Sequence, residues 1–242
     1  MAIDIAGQLI TSTSVTADSN FAKTIVTDGL ICHLDAANLN SYSGSGGTWY
    51  DLSQYKNSVS IYGSPAWTSV GGRTAFNLTA DGHYMSGGMN YAFPTQTLTY
   101  EAWIYPAASE VTSGDRGTVI LCNGGSGAYM SWNKSNGYQS TYWYGHTTEG
   151  YWEQNTTTSR SAWHHWCCVW DNTNIHQWVD GTYAKGFGTT GTSTANTQII
   201  IGRESSGRQF AGGIGVIKVY NRALSGAEVL QNFYALRGRF GI

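Results

Sequence analysis

Residues 210 to 225 read Phe210-Ala-Gly-Gly-Ile-Gly-Val-Ile-Lys-Val-Tyr-Asn-Arg-Ala-Leu-Ser225. The alternating apolar side chains of Ile217 and Val219 indicate a half-buried β-strand. Ser225 then occupies a helix N-cap position, and Glu228 three residues later completes a capping box. The apolar residues beyond the cap recur at helical spacing, at Val229, Leu230, Phe233 and Leu236. The segment therefore predicts a strand, a Tyr-Asn-Arg corner and a closing amphipathic helix.

The rest of the chain predicts many short strands. The clearest is Leu98-Thr-Tyr-Glu-Ala-Trp-Ile-Tyr-Pro106, in which alternate residues take opposite faces and the proline ends the ladder. Asp180-Gly181 is a two-residue hairpin signal. The other predicted strands cover residues 29–35, 59–62, 74–78, 83–86, 118–122, 128–133, 139–144, 162–170, 175–180 and 199–203. This pattern predicts an all-β fold, an antiparallel two-sheet jelly-roll sandwich with a short C-terminal helix.

The composition favours a single, weakly charged domain. Charged residues make up 12% of the chain, whereas soluble domains carry roughly 25%. The net charge of −2 offers no electrostatic footprint for nucleic acid or anionic lipid, and no apolar run approaches the roughly 20 residues that span a bilayer. The cysteines have neither metal-binding nor redox spacing, so we expect buried free thiols. They are Cys32, Cys122, Cys167 and Cys168.

Residues 1–27 precede the recognisable domain, which we place at residues 28–242. They are polar with short apolar clusters, and two interpretations stay open: an arm that docks on a partner or oligomerises, and a flexible tail. We favour the arm, because apolar clusters are unusual in a solvated tail. No basic residue precedes Lys23, whereas a secretory signal begins with basic residues. The expectation is therefore synthesis in a cytoplasm without a secretory signal.

A set of short motifs occurs along the chain in a recognisable order. They are Gly29-Leu-Ile-Cys-His-Leu-Asp35, Trp49-Tyr-Asp-Leu-Ser53, Ala102-Trp-Ile-Tyr-Pro106, Val179-Asp-Gly181, the segment quoted first and Tyr234-Ala-Leu-Arg-Gly-Arg-Phe240. In this order they resemble the laminin-G-like jelly-roll domain of the concanavalin A-like lectin/glucanase superfamily. The resemblance extends to the form of this domain that bacteriophage capsid and tail proteins carry.

The resemblance implies a non-enzymatic structural protein of a bacteriophage virion. It would be a capsid decoration or a tail or fibre component that adheres to a glycan or another host-surface molecule. The implied partners are other virion proteins contacted through residues 1–27, further copies of the chain and cell-surface glycans, with no nucleic acid and no membrane insertion. The protein would be made in the host cytoplasm and end in the virion. The alternative is a free, extracellular carbohydrate-binding lectin, and a glycoside hydrolase is the least favoured function.

Hydrolase chemistry on this fold needs two carboxylates that flank the scissile bond, ~5 Å apart in retaining enzymes. A Glu-x-Asp-x-Glu strand would place them so, but the sequence contains no such triplet. Glu149 and Glu153 would lie about 13 Å apart on a strand. His164 and His165 are adjacent and would face opposite ways, which argues against a shared zinc ion. We therefore expect no enzymatic activity.

We also expect that no cofactor is required, with calcium as the alternative. The resemblance implies this ion, because laminin-G-like domains often bind it at the rim of the sandwich. The candidate ligands by position are Asp81 and Asp115. Neither belongs to a dense acidic cluster, and calcium requires six or more oxygen ligands. Two solvated loop aspartates are the simpler interpretation.

The candidate ligand-binding segment is rich in aromatic, amide and hydroxyl side chains. Its aromatic residues are Tyr129, Trp132, Tyr142, Trp143, Tyr144, Tyr151 and Trp152. Sugar faces stack on such rings, and sugar hydroxyl groups pair with amides and hydroxyls. Strand alternation directs part of the set into the core, and exposed tyrosine and tryptophan side chains are equally typical of protein interfaces. A glycan and a protein ligand therefore both stay open for this segment.

Overall fold

The computed structural model describes residues 2–3, 9–10, 24–90, 97–122, 128–143, 150–188, 197–204 and 207–242. The strands in these ranges are β1 Ala2–Ile3, β2 Leu9–Ile10, β3 Leu30–Asp35, β4 Thr48–Trp49, β5 Val59–Tyr62, β6 Ala66–Val70, β7 Arg73–Leu78, β8 Tyr84–Gly88, β9 Leu98–Pro106, β10 Arg116–Cys122, β11 Ala128–Asn133, β12 Tyr138–Trp143, β13 Gly150–Thr157, β14 His164–Trp170, β15 Asn174–Val179, β16 Thr182–Gly188, β17 Gln198–Ile201 and β18 Gly212–Tyr220. Helix α1 covers Gly226–Phe240. It has 15 residues, and neither its length nor its polarity is that of a membrane span.

Two large antiparallel sheets form the sandwich, as predicted. The front sheet has the order β13-β12-β11-β10-β17-β8-β5-β4. The back sheet has the order β16-β15-β14-β9-β18-β7-β6, and β3 also pairs with β18 beyond the end of β7. β1 and β2 pair with each other. Because hairpins of consecutive strands are joined in these sheets by pairs of strands from distant parts of the chain, such as β9 with β18 and β10 with β17, the architecture is that of a jelly roll.

Strand β9 has the predicted alternation. Tyr100 and Ile104 belong to the core cluster that fills the space between the two sheets. Trp103 points away from that cluster and joins a second one on the outer face of the back sheet. The hairpin after β15 is also confirmed, because Asp180 and Gly181 both have the positive φ that a type I′ turn requires.

Strand β18 is buried on both faces, which corrects the prediction of a half-buried strand. All of its residues are buried. One face contributes to the core between the sheets, and α1 covers the other, where Trp103 stacks on Phe240 with ring centroids 4.3 Å apart. The predicted capping box is present. The backbone N–H of Glu228 donates to Ser225 Oγ, and that of Ser225 donates to Glu228 Oε2 at 2.8 Å.

A buried polar network joins the helix to the sheet. Lys218 Nζ contacts Glu101 Oε1, and both side chains are fully buried. Asn232 Nδ2 donates to Glu101 Oε2 and to the Tyr220 hydroxyl, each at 2.9 Å. Burial alone raises the pKa of Glu101, but Lys218 and His165 lower it by more, to about 2. The carboxylate therefore stays ionised beneath α1.

Thr24 and Val26, within the predicted arm, contact helix α1. The backbone N–H of Val26 donates to Asn232 Oδ1 at 2.8 Å, and Gln231 Nε2 donates to the Thr24 carbonyl at 2.9 Å. These residues pack on the helix that closes the domain, and Val26 is buried there. Most of the arm, residues 1, 4–8 and 11–23, lies outside the described residues. Its role as an arm stays a prediction.

Candidate functional site

A surface pocket of about 290 Å³ lies on the outer face of the front sheet. Its described lining residues are Tyr62, Tyr84, Ser86, Gln198, Ile200, Arg203 and Glu204. They come from β5, β8, β17 and the loop after β17, which lie side by side in the sheet. Two further cavities lie elsewhere on the domain, and the described lining of neither includes a tyrosine or tryptophan.

Two stacked tyrosine rings form one side of this pocket. Tyr62 and Tyr84 are direct cross-strand partners, and the residues next to them in the strands, Ile61 and Met85, pack with the core. Strand alternation therefore directs both tyrosines outward. Their ring centroids are 4.6 Å apart with an interplanar angle of 9°. Tyr62 is 44% exposed, so the pair presents aromatic surface to a ligand.

Arg203 stands on the opposite side of Tyr84 from β5. Its guanidinium carbon lies 5.0 Å from the centroid of the Tyr84 ring, which is a cation–π arrangement. Gly202 before it has φ +87°, and Gln209 Nε2 donates to the Gly202 carbonyl at 2.7 Å. A Cβ at this glycine would collide with Leu78. The backbone that carries Arg203 is therefore held by the core, while the guanidinium remains at the surface.

Glu204 is the carboxylate of the pocket, and a chain of alternating charges holds it. Arg208 Nη1 donates to Glu204 Oε1 at 2.9 Å, and the Thr118 hydroxyl lies 3.4 Å from Glu204 Oε2. Arg208 also approaches Asp115 at 3.5 Å, and Asp115 pairs with Arg116 at 3.1 Å. The charge of Glu204 is therefore neutralised by its neighbours.

The comparison with protein families decides the identity of the domain. The Laminin_G_3 family, described as the concanavalin A-like lectin/glucanases superfamily, matches residues 71–230. The chain belongs to this family. It is a laminin-G-like, lectin-like domain, as its motif order predicts. No curated protein sequence is significantly similar to the chain.

Solved structures with the same fold include bacterial toxin domains. The binding domain of Botulinum neurotoxin DC, in complex with rat synaptotagmin II, is 13% identical with a TM-score of 0.64, over 87% of this chain and 52% of that chain. The Botulinum neurotoxin serotype D binding domain is 13% identical with a TM-score of 0.66, over 86% and 51%. The binding domain of Paraclostridial Mosquitocidal Protein 1 is 14% identical with a TM-score of 0.63, over 85% and 52%. The laminin-G-like domain thus spans about half of those chains, and the likeness concerns the fold.

Two aromatic residues of the predicted ligand-binding segment are buried in the laminin-G-like domain, which removes them from any exposed stacking surface. Trp132 lies between the sheets and stacks on Trp166 with ring centroids 5.9 Å apart. Tyr129 is fully buried, and its hydroxyl accepts a hydrogen bond from Arg116. Their burial has a physical reason: strand alternation places Trp132 on the core side of β11, and Tyr129 is covered on the other side.

The remaining residues of that segment are placed only in part. The backbones of Tyr142 and Trp143 lie in β12, and those of Tyr151 and Trp152 lie in β13. In the sheet register Tyr142 pairs with Tyr129 on one side and with Tyr151 on the other. The side chains of these four residues, and all of Tyr144, lie outside the described residues. Their role in ligand binding stays a prediction.

The two calcium candidates lie apart at the surface. Asp81 is exposed in the turn before β8. Asp115 has a 64% exposed side chain and pairs with Arg116 and Arg208. Slight burial raises the pKa of Asp115, but Arg116 and Arg208 together with a backbone hydrogen bond lower it by more, below its ordinary value. Within the described ranges no three His, Cys, Asp or Glu side chains come together as metal ligands. A calcium site at either aspartate stays a prediction.

The sequence prediction did not include Tyr62, Tyr84 and Arg203. Each lies in or next to a strand that was predicted, and the outward position of Tyr62 was readable from the alternation of β5. Nothing local indicates that two tyrosines and an arginine from separate strands would meet. Strand order brings them together, because β5, β8 and β17 are neighbours in the front sheet.

Proposed function

We propose that this laminin-G-like domain is a carbohydrate-binding adhesion module whose ligand occupies the pocket at Tyr62 and Tyr84. The observation that carries the proposal is the half-exposed Tyr62 ring, fixed by its stacking on Tyr84 at the edge of a polar pocket. The apolar face of a sugar packs on such a ring. Gln198 and Ser86 supply amide and hydroxyl groups that match sugar hydroxyls.

A binding role without catalysis suits the positions of two carboxylates, Glu204 at this pocket and Glu101 on the back sheet. Hydrolysis needs one carboxyl group that donates a proton and a second that acts as base or nucleophile. Glu204 is bound by Arg208, and Glu101 lies beneath α1 in contact with Lys218. The two carboxylates do not form a catalytic pair, because Glu204 follows β17 of the front sheet and Glu101 lies in β9 of the back sheet.

The proposal extends to a place on a bacteriophage virion, where the module would be a structural component of the capsid, tail or fibre. The support is the motif order of the chain, which resembles that of laminin-G-like phage proteins. Residues 1–27 would contact other virion proteins or further copies of the chain, and the protein would be made in the host cytoplasm. Detection of the chain in purified phage particles would support this placement, whereas its presence only free in the medium would favour a free lectin.

The glycan proposal is tested with the full-length protein on a saccharide array, with calcium and with a chelator. We expect selective binding, and we expect Tyr62→Ala to weaken it about tenfold because the open ring face is lost. Tyr50→Ala is the matched control, since Tyr50 is 55% exposed and does not line the pocket. A Trp143→Ala/Trp152→Ala variant tests the aromatic segment in the same experiment.

The outcomes of this experiment are distinct. Binding that survives Tyr62→Ala and is lost in the Trp143→Ala/Trp152→Ala variant would move the site to the aromatic segment. A blank array for the wild type would contradict carbohydrate binding. Loss of binding in chelator would make Asp81 and Asp115 the next residues to substitute.

A further inference from the structure

One charged side chain of the pocket, that of Arg203, has no acidic partner among the described residues, whereas the other charged side chains nearby pair with one another. Glu204, Arg208, Asp115 and Arg116 form an alternating series in which each charge has an opposite neighbour within 3.5 Å. This series is neutral as a whole. Arg203 stands outside it, so the described lining of the pocket keeps one uncompensated positive charge.

Arg203 is held by a ring rather than by an anion. Its guanidinium lies over Tyr84 and forms no hydrogen bond or ion pair with any part of the chain that the structure describes, while its backbone bridges to Gln209. With respect to the described residues, the N–H donors at the edges of the guanidinium are therefore available to a ligand, while one of its faces is covered. A stacked guanidinium has lost part of its freedom before a ligand arrives, so less entropy is lost when it binds an anion.

The partner that suits such a group is a planar anion. A guanidinium and a carboxylate form two parallel charge-assisted hydrogen bonds, which are stronger than bonds between neutral groups. A carboxylate at Arg203 would also lie close to the open tyrosine ring, because Arg203 and Tyr62 both flank Tyr84. One oligosaccharide with an acidic unit could contact both.

We propose that the pocket selects an acidic saccharide, with a sugar ring packed on Tyr62 and a carboxylate bound by Arg203. The inference rests on the proposed carbohydrate-binding function and adds the class of ligand. Uronic acids and sialic acids both carry the required carboxylate. Because Glu204 is already neutralised by Arg208, it does not repel such a ligand strongly.

The test compares acidic probes with matched neutral ones on the full-length protein. The uronic acid pair is oligogalacturonate and its methyl ester, and the sialic acid pair is sialyllactose and lactose. We expect at least one acidic probe to bind about tenfold more tightly than its neutral counterpart, as two charge-assisted hydrogen bonds would provide. The preference should shrink at high salt because the site is at the surface.

Two arginine variants make the test specific. Arg203→Gln keeps hydrogen-bonding capacity but removes the charge, and it should lower the affinity for the acidic probe to that of its neutral counterpart, so that the preference is lost. Arg237→Gln is the matched control, since Arg237 also lies over a tyrosine, Tyr234, but on α1. Unchanged melting temperatures would show that both variants fold.

The results separate this inference from the proposed function. Equal binding of acidic and neutral probes, or a preference that survives Arg203→Gln, would overturn the role of Arg203 and leave carbohydrate binding intact. Absence of binding to any saccharide on the array and in these pairs would overturn both.

Discussion

Glu101 and Lys218 form a buried pair of opposite charges between the back sheet and helix α1. Both side chains are fully buried, and Asn232 links the carboxylate to the helix and to Tyr220. Removing a charged group from water is costly, so each of these buried charges destabilises the fold unless the opposite charge compensates it. The sequence shows Glu101 as a single acid on a strand, and its partner becomes visible only from the pairing of β9 with β18.

Replacement of one member of this pair should be much more harmful than replacement of both. Lys218→Met leaves the Glu101 carboxylate buried without its counter-charge, and we expect the free energy of unfolding to fall by about 3–5 kcal/mol. The double variant Glu101→Gln/Lys218→Met should regain most of this loss. Denaturant unfolding followed by tryptophan fluorescence measures the free energy of unfolding of the single and the double variant. Equal stabilities of the single and double variants would contradict the pairing.

Helix α1 and the hairpin between β15 and β16 show how elements depend on their contacts. The hairpin turns at Asp180 and Gly181, and Gly181 lies against Phe233 of α1. The helix itself contains Gly238, around which nothing lies within 4 Å of the position of a Cβ. A Cβ added by a glycine-to-alanine substitution would therefore be crowded at Gly181 and unhindered at Gly238.

The two glycines predict opposite effects of alanine. At Gly181 the φ of +74° is unfavourable for a residue with a side chain, and a Cβ would lie 2.5 Å from Phe233 Cδ1. We therefore expect Gly181→Ala to lower the free energy of unfolding by more than about 1 kcal/mol. In the exposed helix position Gly238→Ala should raise the free energy of unfolding by about 0.5–1 kcal/mol. Thermal unfolding of the two variants beside the wild type checks the signs. Stabilisation by Gly181→Ala would contradict the turn geometry.

From residue 24 onward the described part of the chain forms layers: the front sheet, the back sheet, and α1 with residues 24–29 over the back sheet. The four cysteines are buried within these layers and unpaired, as the sequence predicts. Cys168 lies in the core between the sheets, and Cys167 faces the layer beneath the N-terminal segment. Burial raises the pKa of each thiol, in Cys168 to about 11. Access to the thiols thus requires the layers to separate.

Thiol reactivity should report on the integrity of the whole sandwich. At pH 8 we expect the folded protein to react negligibly with a disulfide reagent such as DTNB, because the thiols are both buried and protonated. In guanidinium chloride all four should react. The number of thiols titrated before and after unfolding measures this, and rapid reaction of any thiol in the folded protein would show that the layers open under native conditions.

Local patterns of the sequence determined the central strands, the Asp180-Gly181 turn and the capped helix. These features depend on neighbours within a few residues: alternation in β9, two residues with positive φ in the hairpin, and the Ser225–Glu228 pair at the helix start. The order of the motifs also determined the family, which the match over residues 71–230 confirms. Interior strands are predictable because their apolar face must be buried.

The tertiary structure decided the sheet edges, the burial of β18 and the pocket. The strands of the large sheets that the sequence did not predict are β4, β6, β13 and β16, and all four are edge strands. An edge strand has a neighbour on one side only, so its sequence is less constrained to alternate. β18 is buried twice because α1 folds back over it. The pocket exists because strand order joins Tyr62, Tyr84 and Arg203, and strand order is a property of the folded molecule that no short segment of the chain encodes.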